Sequence, residues 1–255
     1  MSQATAPSQL KTLLPRLRRG ALALAGLVAT YIGVLAYPEP AFAYRIQYRQ
    51  FDLWSDRPID SSITVVLDDA IRRLQTSSLY TSQQRFHVFF CNARWRLQLY
   101  GLFHPSVGGI VIAPLTSNIY LRRSDIPHDR IIPSYAGPMA DAKERPLAYY
   151  IAHEATHVMQ GRSFGRFFAL TRPAWLNEGY ADLIGKGGDF DIRDNLARFQ
   201  AHDPSMDVRR SRLYRLYHLE VAWMLGHDAV PLETLYAHPP AEKKLLARLR
   251  EARLP

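Results

Sequence analysis

Residues 44–255 are predicted to form an α+β fold. Three observations carry this: strand-like segments gather before residue 122, Pro-rich polar residues fill 124–146, and helical periodicity dominates everything beyond Pro146. Residues 44–51 alternate enough for a strand through Ile46, Tyr48 and Phe51. Asp60 or Ser61 is placed to cap a helix to about Leu74, with Ile63, Val66, Leu67, Ile71 and Leu74 on one face. The run 85–91 reads as a buried strand. Asn92 can cap a short helix through Leu102, and Gly108-Gly109 opens a strand over 110–113 that residues 118–121 can pair with. Beyond the loop, helices are expected over 146–160, 173–184, 191–200, 209–225 and 240–253. The layout is thus a small mixed sheet with helices, followed by a helical half.

Composition narrows the function classes. Of the 255 residues, 47% are hydrophobic and 22% charged, which excludes disorder as the whole-chain answer. The single cysteine, Cys91, excludes an intramolecular disulfide and a Cys-only zinc site, and a packing role is expected for it.

The net charge of +9 divides unevenly. Lys11, Arg16, Arg18 and Arg19 precede an uncharged apolar run over 20–37, which is about 27 Å long as a helix and just able to span a bilayer. Pro38 and Pro40 end it, and Ala41-Phe42-Ala43 offers a signal-peptidase site. Residues 1–43 therefore read as a signal anchor or a cleaved signal, with 44–255 exported. The domain is then membrane-tethered on the non-cytoplasmic side, or secreted or periplasmic. With those four basic residues and Glu39 set aside, the remainder carries +6. It has no basic stripe with stacking aromatics, so no nucleic-acid partner is expected.

The chemistry is concentrated in His153-Glu154-Ala155-Thr156-His157. Residues four apart on a helix lie one above the other, so both imidazoles can reach one point and serve as zinc ligands. Glu154 can lie beside a water as general base. Solvent-facing histidines are the plain alternative, but Tyr149, Tyr150, Ile151, Ala152, Ala155 and Val158 mark the helix as buried. A third ligand is needed. Gln160 and Ser163 stand where an extended metzincin pattern wants Gly and His. His202, His218 and Glu178 remain, the last in Trp175-Leu176-Asn177-Glu178-Gly179-Tyr180-Ala181-Asp182.

His153–His157 followed by this Asn-Glu-Gly-Tyr-Ala-Asp stretch resembles the gluzincin metallopeptidases, and most closely small peptidase MA-like domains. The resemblance covers residues 147–182. It implies a zincin-like fold, one Zn2+ held by His153, His157 and Glu178, and Glu154 as catalytic base. Asp182 is implied to accept the other ring N–H of His153. A Tyr or His from a later helix is implied to steady the oxyanion: Tyr214 or Tyr217, with His218 nearby. The strand containing Ile110, Val111 and Ile112 is implied to hold a peptide or protein substrate by β-augmentation. No Gly-Ala-Met-Glu-Asn element is present, which favours an endopeptidase. A non-catalytic scaffold of the same fold and a zinc hydrolase of a non-protein amide are the alternatives. An intramembrane protease is not expected, since its motif would need a membrane-spanning run and residues 141–147 and 160–166 are polar or charged.

Overall fold

The computed structural model describes residues 8–103, 107–132 and 145–253, with side chains from residue 15. The described chain falls into two units, Met1–Pro40 and Ala41–Pro255. In the first, helix α1 (Ser8–Ala36) contains a 22-residue apolar stretch, Pro15–Ala36, long and apolar enough to cross a membrane.

The second unit has the expected α+β architecture. The segment read as one strand over 44–51 is two: β1 (Tyr44–Tyr48) and β2 (Phe51–Ser55) form a tight antiparallel hairpin, with Tyr48 opposite Phe51. The turn escaped the sequence reading because Arg49 adopts a left-handed conformation (φ 49°) without the usual Gly or Asn. Helix α2 (Ile63–Leu74) follows, with the anticipated face buried. Strand β3 (Phe86–Cys91) pairs parallel with β2.

Helix α3 (Arg94–Tyr100) is not capped by Asn92 as expected. The Asp56 carboxylate, far upstream, accepts from the backbone N–H groups of Asn92 and Ala93 instead. Strands β4 (Gly109–Val111) and β5 (Asn118–Arg122) pair antiparallel, and β5 runs parallel to β3. The sheet order is β1-β2-β3-β5-β4, so β4 is an edge. The stretch expected as loop contains a short hairpin, β6 (Ser124–Asp125) and β7 (Arg130–Ile131). Its Pro-rich remainder, 133–144, lies outside the described residues.

Strand alternation sorts the sheet's two faces. Val88, Phe90, Ile119 and Leu121 join the main core beneath α2 and the long helix α4 (Leu147–Phe164). Phe89 and Tyr120 face the other way and meet Phe42 and Tyr100: ring centroids are 5.2 Å apart for Phe42–Phe89 and 4.9 Å for Tyr100–Tyr120. Phe42 is 4% exposed, and Arg96 donates to the carbonyl of Ala41. The folded unit therefore incorporates residues just upstream of position 44. Cys91 is buried, and burial pushes its thiol far above the ordinary range.

After α4 come α5 (Phe168–Thr171), α6 (Ala174–Lys186) and α7 (Ile192–Gln200). Gly187, at φ +60°, stops α6. The helix expected over 209–225 is broken. A single turn, α8 (Val208–Ser211), ends at Arg212 in a left-handed conformation. Helix α9 (Arg215–Ala222) then restarts and passes into a π-helical turn, Trp223–His227. Arg145 holds the break by donating to the Arg212 carbonyl at 3.1 Å, a long-range contact with no local signature. The C-terminus holds two helices, α10 (Leu232–Ala237) and α11 (Glu242–Glu251), where one was expected. Helices α2, α4, α6 and α9 pack in succession, which brings α6 and α9 over the His153–His157 turn.

Glu220 on α9 is fully buried, and neither carboxyl oxygen has a hydrogen-bond partner among the described residues. Burial, helped by Glu242, pushes its pKa from 4.5 up to about 9. The folded chain thus keeps a proton that the unfolded chain loses. Stability from this group is full below about pH 4.5 and is lost as pH rises toward 9. At about 1.4 kcal/mol per pKa unit, the loss between roughly pH 5 and 7 is about 3 kcal/mol. Glu220→Gln should remove most of this slope. Urea unfolding at the two pH values measures it, and an unchanged slope would refute the assignment.

Candidate metal centre

His153 and His157 project from the middle of α4, one turn apart, with ring centroids 4.9 Å apart and planes nearly perpendicular. Helix α6 packs across them and presents Glu178. Its Oε2 lies 3.3 Å from His153 Nε2 and 3.6 Å from His157 Nε2. One ligand atom from each residue falls within 4.8 Å of the others, and the cluster could hold a metal ion. Two imidazole nitrogens and one carboxylate oxygen form a donor set suited to zinc.

Each ring nitrogen facing away from the cluster is engaged. His157 Nδ1 lies 2.7 Å from Gln160 Oε1. The Gln160 amide nitrogen donates to the Asn177 carbonyl at 3.0 Å and to the Tyr236 hydroxyl, so its oxygen must face the histidine. His157 Nδ1 is therefore the donor, leaving the Nε2 lone pair for the cluster.

His153 is held through Tyr149. The Tyr149 hydroxyl donates to Asp182 Oδ1 at 2.5 Å and is left to accept from His153 Nδ1 at 3.3 Å. Asp182 thus reaches His153 through the phenol, not by the direct bond expected from the sequence. The bulky Tyr149 occupies the space between them. The other Asp182 oxygen accepts from His218 Nδ1 at 2.9 Å. His218 therefore supports Asp182 and is not part of the cluster; His202 is not part of it either.

The electrostatics are consistent with a fixed anion behind the histidines. Burial opposes ionisation of Asp182, but the His218 bond, Lys186 and Arg145 outweigh it and hold the carboxyl below its usual range. Arg145 is buried, with Nη2 3.7 Å from Asp182 Oδ1, and its guanidinium lies over the Tyr149 and Tyr214 rings. Burial lowers His218 more than Asp182 raises it. At the cluster, burial would raise Glu178, yet the two histidines hold it well below the ordinary value. Burial likewise opposes charge on His157, yet Glu178 and Glu154 bring it up to about 9. A cation bound here competes with that proton, so its affinity rises with pH.

Glu154 points from α4 toward the sheet edge and is buried. Burial raises its pKa, while His153, His157 and the Val111 N–H partly offset this. Strand β4 passes unusually close: a Cβ at Gly109 would fall 2.8 Å from Glu154 Cγ, and only glycine fits. Because Arg122 N donates to Gly108 O, the two-residue period turns the peptide groups of Ile110 toward β5 and those of Gly109 and Val111 away from it. Ile112 is buried just beyond the strand.

Of the two tyrosines singled out, Tyr214 is at the cluster. It caps α9, stacks parallel on the His153 ring at 5.7 Å and bonds to Glu178. The Glu178 charge and then burial raise its pKa well above 10. Tyr217 stacks behind Tyr214 at 6.0 Å and is half-buried.

Sequence reasoning missed Tyr149, Gln160 and Arg145. Tyr149 stands four residues before His153 and Gln160 three after His157, positions on the same helical stripe that could have marked them. Arg145 had no local signal. Gln160→Met is expected to weaken metal binding about 10- to 100-fold with little change in volume. Competition with a chromophoric chelator measures this, and unaltered affinity would show that Gln160 does not support His157.

Compared with protein-family models, curated proteins and solved structures, the chain matches none.

Proposed function

We propose that the chain is a zinc-dependent endopeptidase with a zincin-like fold, akin to the gluzincins. The observation that carries this reading is the convergence of His153, His157 and Glu178, with Glu154 beside them and against an edge strand. Zinc bound by these three residues would supply Lewis acidity for water and for a substrate carbonyl.

The chain's own residues provide the rest. Glu154, raised in pKa yet within reach of two histidines, takes a proton from the attacking water and can return it to the leaving amine. Tyr214 keeps its proton at neutral pH and is positioned to donate to the developing oxyanion. The outward Gly109 peptide groups and the Val111 carbonyl offer a substrate backbone a strand to pair with, flanked by Ile110 and Ile112. Arg145, Asp182 and Tyr149 hold the His153 ring in place.

An intact Glu154 separates this reading from a scaffold that merely keeps the fold. The N-terminal helix serves as an anchor that stays attached, since cleavage after Ala43 would remove Phe42 from the aromatic face it helps to build. The catalytic unit then works outside the cytoplasm, at the membrane.

The test is incubation of the zinc-loaded full chain with a peptide library. Internal cleavages that a chelator abolishes and zinc restores are expected. A chain with stoichiometric zinc that cleaves no peptide would contradict the peptidase reading.

A further inference from the structure

A cavity of about 140 Å³ opens beside His157, lined among others by Val111, Ala113, Thr116, Gly161, Arg162 and Arg166. It has room for one side chain and connects the metal cluster with the far end of β4. Its walls are small: a Cβ at Gly161 would already make van der Waals contact with Phe168 and Ala113.

Its charge is one-sided. Arg162 donates one arm to the Arg85 carbonyl at 2.7 Å and lies over the Phe86 ring, so its guanidinium is fixed. Its remaining donors have no carboxylate partner among the described residues, and neither does Arg166. An exposed guanidinium held in place by these two contacts, with no carboxylate partner among the described residues, at the mouth of a side-chain-sized cavity is suited to a ligand that brings the anion with it.

We propose that this cavity is a specificity subsite in which Arg162 and Arg166 receive a carboxylate of the substrate. The inference rests on the peptidase reading and names its substrate class: acidic peptides. The carboxylate is that of an Asp or Glu side chain or of a peptide C-terminus, and the two are separable.

The test uses the zinc-loaded full chain carrying Glu154→Gln, so that binding is read without turnover. Blocked peptides differing only in Glu, Gln or Lys at one position, and the Gln peptide with a free C-terminus, are titrated calorimetrically. The Glu peptide or the free-carboxylate peptide should bind at least tenfold more tightly than the blocked Gln peptide. The double variant Arg162→Glu, Arg166→Glu should reverse the order in favour of Lys. Arg166→Glu alone, at an exposed position, should weaken the preference without disturbing the fold. Equal binding of all peptides, or an order unmoved by charge reversal in a protein that still holds zinc, would overturn the subsite. Such a result would leave the peptidase reading intact if the parent chain cleaves other peptides. Discrimination without any cleavage by the parent chain would instead support the subsite and count against the peptidase.

Discussion

Glu154→Gln is expected to lower peptide hydrolysis by a factor of about 10³ while leaving zinc bound. The argument is local. The carboxylate is fixed between α4 and β4, where Gly109 leaves it just enough room. Gln has the same shape and can still accept from the Val111 N–H, so packing and ligand geometry should survive. What it cannot do is take a proton. Turnover measured beside metal content separates the two effects: loss of turnover with full zinc supports the general base, and retained turnover would remove Glu154 from the mechanism.

The second large effect is expected at Glu178. Among the described residues, its Oε2 is the one carboxylate oxygen near both Nε2 atoms, at 3.3 and 3.6 Å. Glu178→Ala should raise the dissociation constant for zinc by more than the roughly 100-fold expected for an outer partner such as Gln160. The variant should still fold, because Glu178 is partly exposed and the α6 core is built by Trp175, Leu176, Tyr180 and Ile184. Melting temperature and equilibrium dialysis together check this. A variant that folds and binds zinc as tightly as the parent would exclude Glu178 as a ligand.

Sequence legibility followed the range of the interactions. The His153–His157 turn and the stretch from Trp175 to Asp182 could be placed on helices because their periodicity and their Pro starts are local. So could the buried face of α2. The break at Arg212 could not, since the residue that holds it, Arg145, is 67 positions away. That break matters, because it sets Tyr214 at the start of α9 with its ring against His153. Asp182 was assigned to the right neighbourhood but to the wrong partner. Helical spacing places a carboxylate near an imidazole, whereas only the packing of α6 on α4 reveals the Tyr149 hydroxyl between them. The hairpin at Arg49 and the cap supplied by Asp56 were hidden for the same reason: each depends on a conformation or a partner that its own residue type does not announce.

The central claim is that His153, His157 and Glu178 form one metal centre, and cobalt substitution tests it most directly. Titrating the full chain with Co2+ should saturate at one ion per chain and give the intense visible bands of a four-coordinate N/O site. Those bands should be lost in Glu178→Ala and in His157→Ala. Weak octahedral absorption in the parent, or bands unchanged in both variants, would contradict the account.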